Sequence, residues 1–86
     1  MNQIEWQPKA RKQLFKLDRL AQVQIRDAVG EKLEEFPFGA GVKALTAHQF
    51  GYRLRVGAYR VLFDFEGGTA RIVSIEEVSK RDERTY

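Results

Sequence analysis

The period of the apolar residues changes halfway along the chain, and this change constrains the fold more than any other feature. In residues 8–36, apolar residues recur every three or four positions, the spacing of amphipathic helices. Residues 52–56 instead alternate strictly between apolar and basic side chains, and residues 59–65 are almost continuously apolar. The first pattern is that of a half-buried strand and the second that of a central strand. Helices followed by a sheet predict an α+β domain.

The first half of the chain contains one short strand and two helices. Ile4 and Trp6 alternate with polar residues, which predicts a strand over residues 2–7. Pro8 suits the first position of a helix, where no backbone N–H is needed, and Asp18 is a suitable N-cap for a second helix. Pro37 ends that second helix. The expected buried stripes are Ala10, Leu14 and Leu17 in the first helix, and Ile25, Ala28, Val29, Lys32 or Leu33, and Phe36 in the second.

Two glycine-containing connections organise the second half. Gly57-Ala58 places glycine first, as a type II′ hairpin requires, and Gly67-Gly68 predicts a second tight hairpin. The last strand then covers residues 69–78. The predicted order is β-α-α-β-β-β in a single domain, residues 1–86, with an antiparallel-rich sheet. The two-helix hairpin packs on one face of this sheet and leaves the other face open.

Composition narrows the class of protein without naming a function. The 15 basic and 12 acidic residues give a net charge of +3, too modest for a protein that coats nucleic acid over its whole surface. There is no cysteine, which fits a reducing compartment. Neither a signal peptide nor an apolar stretch of the ~18 residues needed for a membrane span is present. We therefore expect a cytoplasmic protein with no membrane partner.

The placement of arginine is more informative than the net charge. Residues 45–63 contain Arg53, Arg55 and Arg60 and no acidic residue. Alternation puts Arg53 and Arg55 on one face of their strand, opposite the apolar residues that belong against the helices. The Gly57-Ala58 hairpin brings Arg60 beside them, and Arg81, after the last strand, can return over the same face. Converging guanidinium groups suit phosphate, so the pattern predicts an RNA-binding face. The alternative is that these residues only protect exposed strands.

Other residue types are weaker candidates for a functional site. Tyr52, Tyr59 and Tyr86 can stack on bases, although the first two also fit half-buried sheet positions. His48, the single histidine, is expected in a loop-packing role. The acids near the C-terminus alternate with basic residues and match no metal motif, so we interpret them as a solvated charge cluster: Glu76, Glu77, Asp82 and Glu83. We predict no metal and no cofactor.

Four segments together resemble the RelE/ParE superfamily of toxins from toxin–antitoxin pairs, and the resemblance covers essentially the whole chain. They are the helix start Pro8-Lys9-Ala10, the block Lys43-Ala44-Leu45, the string at residues 52–61 and the ending at residues 79–86. The RelE branch comprises ribosome-dependent endoribonucleases that cut mRNA in the ribosomal A site. The resemblance therefore implies a metal-independent attack of a ribose 2′-OH on the adjacent phosphate, which gives a 2′,3′-cyclic phosphate and a 5′-OH.

The resemblance also implies a role for individual residues. Arg60 and Arg81 would stabilise the charge that builds on the phosphate, Arg81 would assist the leaving oxygen, and Tyr86 would orient a base by stacking. Studied members of the family have lysine, credited as the general base, where this chain has Arg55. Arginine cannot be deprotonated in proteins, so Arg55 positions and neutralises, and the base is unidentified. The expected catalytic set is Arg60, Arg81, Arg55 and Tyr86, and the expected RNA-binding set is Arg53, Arg55, Lys80 and Arg84.

Two alternative functions share the same fold. One is a ParE-like inhibitor of DNA gyrase without RNA chemistry, although ParE-like members generally lack the complete basic set found here. The other is an inactive relative that binds an antitoxin and tunes promoter repression. For the nuclease the expected partners are the ribosome, mRNA and a cognate antitoxin that places acidic residues near the arginines. DNA would be contacted only indirectly, through the antitoxin complex.

Overall fold

The computed structural model describes residues 2–37 and 41–80, which form two helices and five strands. The elements are β1 (Gln3–Trp6), α1 (Pro8–Phe15), α2 (Arg19–Leu33), β2 (Val42–Ala44), β3 (Tyr52–Val56), β4 (Tyr59–Glu66) and β5 (Ile72–Lys80). The predicted α+β architecture is confirmed, with β2 as one addition to the predicted order. None of the described helices has the length and apolar character needed to cross a membrane.

The strands form one sheet in the order β1-β5-β4-β3-β2. All neighbouring pairs are antiparallel except β1 and β5, which run parallel. The almost continuously apolar strand β4 is central, as the sequence predicted. Its residues Val61 and Phe63 are fully buried on the helix side, and Leu62 is 5% exposed on the other side. The face away from the helices is called the open face below.

Both helices begin where their sequence signals predicted. Pro8 is the first residue of α1, and the Asp18 Oδ1 atom accepts a hydrogen bond from the Ala21 amide at 2.8 Å. This bond satisfies one of the amides that a helix start leaves without a partner. The buried helix residues are Ala10 and Leu14 in α1, and Ala21, Ile25, Val29 and Leu33 in α2.

An aromatic cluster joins the end of α2 to the sheet. The ring of Phe36, just beyond α2, lies 4.8 Å from that of Tyr52, 5.0 Å from that of Phe65 and 5.4 Å from that of Phe63. The buried Asn2 side chain secures the same corner, because its Nδ2 donates to the carbonyl oxygens of Leu33 at 2.9 Å and Phe36 at 2.7 Å. The residue before β1 thereby satisfies one carbonyl at the end of α2 and one just beyond it.

The two predicted hairpins differ in outcome. Gly57 has φ 56° and Ala58 does not have a positive φ, which fits the predicted type II′ turn. The tight hairpin predicted at Gly67-Gly68 is wrong: Glu66 pairs with Ile72, so five residues, 67–71, connect β4 to β5. Residues 69–71 are exposed and offer no large apolar side chain for either face of a strand. The last strand therefore begins at Ile72, not at residue 69.

Strand β2 was absent from the prediction because three residues are too few to show a period. It pairs with β3 through Val42 and Leu54, Lys43 and Arg53, and Ala44 and Tyr52.

Candidate functional site

The sheet register brings together three of the arginines that the sequence singled out. Arg55 on β3 and Arg60 on β4 are directly opposite each other, and Arg53 is opposite Leu62. The intervening Leu54 pairs with Val61 in the core, so the three arginines lie on the open face. Residues directly opposite each other have Cβ atoms about 4.5–5.5 Å apart. At this separation two like-charged side chains repel, and an anion or a polar group between them offsets the repulsion.

Lys43 extends this basic region onto β2. It is the register partner of Arg53, it is exposed, and alternation places its side chain on the open face. Sequence reasoning missed Lys43 as a site residue because it did not identify β2 as a strand. The set Lys43, Arg53, Arg55 and Arg60 is called the basic cluster below.

Arg53 is the member of the basic cluster whose surroundings most favour an anion. Arg53 is half-buried, and its Nε atom is buried and has no hydrogen-bond partner among residues 2–37 and 41–80. A buried donor left without an acceptor costs on the order of 1–3 kcal/mol, and more for a charged group. A phosphate oxygen would remove that cost, since guanidinium N–H groups bind phosphate with strong charge-assisted hydrogen bonds.

Two carboxylates lie on the same face as the basic cluster. Asp64 on β4 accepts a hydrogen bond from the Gly51 amide to its Oδ1 at 2.7 Å. Glu76 on β5 occupies a β-bulge, because the register shifts between Leu62, opposite Glu77, and Phe63, opposite Ile75. Burial raises the pKa of Glu76, and the nearby charge of Asp64 raises it further.

The sequence suggested that four acidic residues form one solvated cluster. The two that the structure describes have different surroundings. Glu77 forms an ion pair with Lys9 of α1, with 2.7 Å between Oε1 and Nζ. Glu76 is partly buried, and the nearby charge of Asp64 acts on it. Asp82 and Glu83 lie outside the described residues. Within residues 2–37 and 41–80, no three histidine, aspartate or glutamate side chains are grouped so that they could hold a metal ion.

Charge on the open face runs from basic to acidic along the strands. The row nearest the Gly57-Ala58 hairpin contains Arg55, Arg60 and Ser79. The next row contains Lys43, Arg53, Leu62 and Glu77, with Glu76 beside it in the bulge. The third row contains Asp64, Ser74 and Glu5. Such a face can bind a phosphate at one end and accept a proton at the other.

Several predicted site residues lie elsewhere. Tyr52 stacks on Phe63 on the helix side, with ring centroids 5.4 Å apart, and Tyr59 packs against the core. Lys80 is opposite Tyr59, so alternation puts this exposed lysine on the helix side and not with the basic cluster. His48 is in an exposed loop, where its Nδ1 accepts from the Phe50 amide at 3.1 Å. Arg81, Arg84 and Tyr86 lie outside the described residues.

A separate groove lies on the helix side of the molecule. It is lined by Trp6, Arg11, Leu14, Phe15 and Arg26. Phe15, at the rim of the groove, is 62% exposed. The groove combines apolar walls with two cationic side chains.

Comparison with known proteins gives a clear result for structure only. No protein-family model matches the sequence, and no curated protein sequence does so either. A chain of the toxin–antitoxin complex RelBE2 from Mycobacterium tuberculosis superposes with a TM-score of 0.72 and 25% identity, over 93% of this chain and 98% of that one. The YoeB/ParE toxin from Agrobacterium tumefaciens superposes with a TM-score of 0.71 and 12% identity, over 93% of this chain and 99% of that one.

The sheet, the helical hairpin and the basic open face define a class of small α+β proteins that present cationic side chains from a β-hairpin. The structural likeness to the RelBE2 chain, over 93% of this chain, supports its place in the RelE/ParE-like toxin superfamily.

Proposed function

We propose that this protein is the toxin of a toxin–antitoxin pair and that it inhibits translation by cutting mRNA in the ribosomal A site. The observation that carries the proposal is the basic cluster, because the β3–β4 register puts Arg55 opposite Arg60 with Arg53 in the next row. Arginine binds phosphate through its planar fork, and three such groups on an open face suit an extended polyanion.

The cleavage that fits this face needs no bound cofactor. The ribose 2′-oxygen forms a bond to the adjacent phosphorus, and the bond from phosphorus to the 5′-oxygen breaks. Arg60, together with Arg81, stabilises the added negative charge on the phosphate, while Arg53 and Arg55 bind and orient the backbone. Tyr86 stacks on a base. Arg55 stays protonated throughout, so the proton of the 2′-OH has to leave by another group.

A cognate antitoxin is the expected protein partner, as the RelBE2 neighbour is a toxin–antitoxin complex. We expect an acidic segment of the antitoxin to cover the basic cluster, since opposite charges across an interface set both specificity and association rate. If charge-removing changes at Lys43, Arg53, Arg55 and Arg60 left antitoxin binding and neutralisation intact, the antitoxin would have to inhibit from another surface.

The decisive experiment is expression of the wild type and of Arg60→Ala without antitoxin, followed by growth measurement and primer extension on translated mRNA. The wild type should arrest growth and leave cuts within codons. Loss of one group that stabilises developing charge typically costs about 10²–10³-fold in rate, so Arg60→Ala should restore growth and remove most cuts. Arg81→Ala should have a similar effect, and Lys12→Ala, an exposed change on α1, is the matched control that should behave as the wild type.

Two results would contradict the nuclease. Growth arrest without cuts, together with inhibition of purified gyrase in a supercoiling assay, would identify a ParE-like gyrase inhibitor. Absence of both growth arrest and cuts, with antitoxin binding retained, would identify an inactive relative that acts only through its complex.

A further inference from the structure

We propose that Glu76 is the proton acceptor of the cleavage and that Asp64 is a positioning residue beside it. The inference rests on the proposed nuclease function, and it supplies the base that neither Arg55 nor any other arginine can provide. The case rests on the bulge in β5, on the orphaned Nε of Arg53 and on the charges around Glu76.

The bulge holds a residue that packing of the core does not require. Ile75 and Val78 are buried on the helix side at 0% and 3% exposure, and they are separated by two residues instead of the single one that alternation needs. Either Glu76 or Glu77 alone would keep both apolar residues in the core. Bulges re-aim side chains and are over-represented next to active sites. Here the extra residue is a glutamate near enough to Asp64 on the open face to feel its charge.

The orphaned Nε of Arg53 marks where an anion would bind relative to Glu76. Arg53 is opposite Leu62 on β4, and the bulge is opposite the same leucine from β5. The two backbones are therefore separated by two strand spacings, roughly 10 Å. Side chains that rise from the same face with their backbones this far apart can hold one phosphodiester and its ribose between them. Arg53 can hold the phosphate while Glu76 meets the 2′-OH.

The charges around Glu76 set its basicity. Burial and the charge of Asp64 on β4 raise its pKa, and a general base works best when its pKa is close to the operating pH. The other charged groups near this part of the sheet are Arg53 on β3, Glu5 on β1, the adjacent Glu77, and Lys9 of α1, which is paired with Glu77. Lys9 is engaged by Glu77 at 2.7 Å, so it does not offset the repulsion between Glu76 and Asp64.

In the proposed step the Glu76 carboxylate takes the proton of the 2′-OH as the 2′-oxygen forms its bond to phosphorus. The bond from phosphorus to the 5′-oxygen breaks, and the leaving oxygen takes a proton from solvent. The products are a 2′,3′-cyclic phosphate and a 5′-OH, and Glu76 returns its proton to solvent before the next turnover.

The test compares Glu76→Gln with Glu77→Gln on ribosomes programmed with mRNA, under single-turnover conditions. Glu76→Gln should slow cleavage by about 10²–10⁴-fold, the usual contribution of a general base. Binding of an RNA that carries a 2′-deoxy nucleotide at the cut site should change less than threefold. Glu77→Gln, the neighbour on the same bulge, should cleave at the wild-type rate. Equal cleavage by Glu76→Gln and wild type would overturn the assignment.

The pH profile separates a proton acceptor from a merely structural residue. Wild-type cleavage should rise with pH through the raised pKa of Glu76 and then level off. Asp64→Asn removes one cause of that shift, so its rising limb should move to lower pH; an unmoved limb would contradict the role of Asp64. A wild type that fails to cleave at any pH would overturn the nuclease itself and the Glu76 assignment with it, whereas cleavage that survives Glu76→Gln overturns only the assignment.

Discussion

Glu76 is a residue whose ionised side chain lowers the stability of the folded protein. Its pKa is raised by burial and by Asp64, so the folded protein holds this proton more tightly than the unfolded chain does. Stability falls as pH rises wherever the folded state binds more protons. The carboxyl therefore costs no stability below its ordinary pKa range and costs most above the raised value. Unfavourable electrostatics of this kind often cluster at functional sites.

This linkage predicts that Glu76→Gln raises the melting temperature near pH 8, because the variant carries no charge to repel Asp64. The difference from wild type should shrink as pH falls and disappear below about pH 4, the ordinary range of a glutamate. Thermal unfolding followed by circular dichroism between pH 4 and pH 8 measures it. The control is Glu77→Gln, which removes an exposed ion pair worth about 0–1 kcal/mol and should not stabilise. A pH-independent difference for Glu76→Gln would show that repulsion is not the cause.

Phe36 shows the opposite balance, because its ring serves only the core. It is 6% exposed and contacts three aromatic rings at centroid distances of 4.8–5.4 Å. Phe36→Leu keeps most of the buried apolar volume but loses the edge-to-face contacts, each worth about 0.5–1.5 kcal/mol beyond burial. We expect a loss of about 1–3 kcal/mol in urea unfolding, with Phe15→Leu, at an exposed ring, within about 0.5 kcal/mol of wild type. A smaller loss at Phe36 would show that the cluster tolerates repacking.

At the scale of secondary-structure elements, the apolar periodicity predicted those helices and strands that are long enough to show a period. Both helices, the β3–β4 hairpin and the central β4 follow from it, and so does the face on which Arg53 and Arg55 lie. Strand β2 has three residues and showed no period, and its absence from the prediction hid Lys43. The sequence did not predict the bulge either, because two successive glutamates do not indicate which face of the sheet each one occupies. Asp64 is opposite Ser74, and Glu76 lies two residues further along β5, where the register shifts.

The bulge leads to a prediction for the whole element. Deleting Glu76 should leave Ile75 and Val78 in the core with Glu77 between them, so regular alternation is restored. The deletion variant should fold, with a free energy of unfolding within about 1 kcal/mol of wild type. Deleting either glutamate gives the same chain, and the one that remains lies opposite Leu62, so this deletion tests the bulge and not the identity of the proton acceptor. Deletion of Val73, a buried residue in the regular part of the same strand, is the control and should abolish folding, because a one-residue slip exchanges the two faces. A deletion variant that fails to fold would show that the core does require the extra residue.

For the whole molecule, a net charge of +3 conceals a strongly uneven distribution. The open face carries the basic cluster at its hairpin end and Asp64, Glu76 and Glu5 toward the other end. The helix side has its own cations, such as Lys12 on α1, which is exposed. Net charge sets solubility and non-specific attraction, but where phosphates bind depends on which face carries the cations. The two faces can therefore be distinguished by how RNA affinity depends on salt.

We expect the logarithm of the RNA-binding constant to fall linearly with the logarithm of salt concentration, with a slope of about −0.7 for each phosphate contacted in a single strand. Arg53→Ala and Arg55→Ala should each reduce the magnitude of that slope by about 0.7, whereas Lys12→Ala, on the helix side, should leave it unchanged. The measurement is fluorescence anisotropy with a short single-stranded RNA in which 2′-deoxy substitution blocks cleavage. The titration is repeated between about 50 and 300 mM salt, because the Debye length shortens over this range. Because the contacts proposed for the basic cluster are with phosphates and not base edges, the losses should be equal for RNAs of different sequence. A slope that responds to Lys12→Ala and not to Arg53→Ala would move the RNA-binding surface to the helices, and the open face would then have to serve a protein partner.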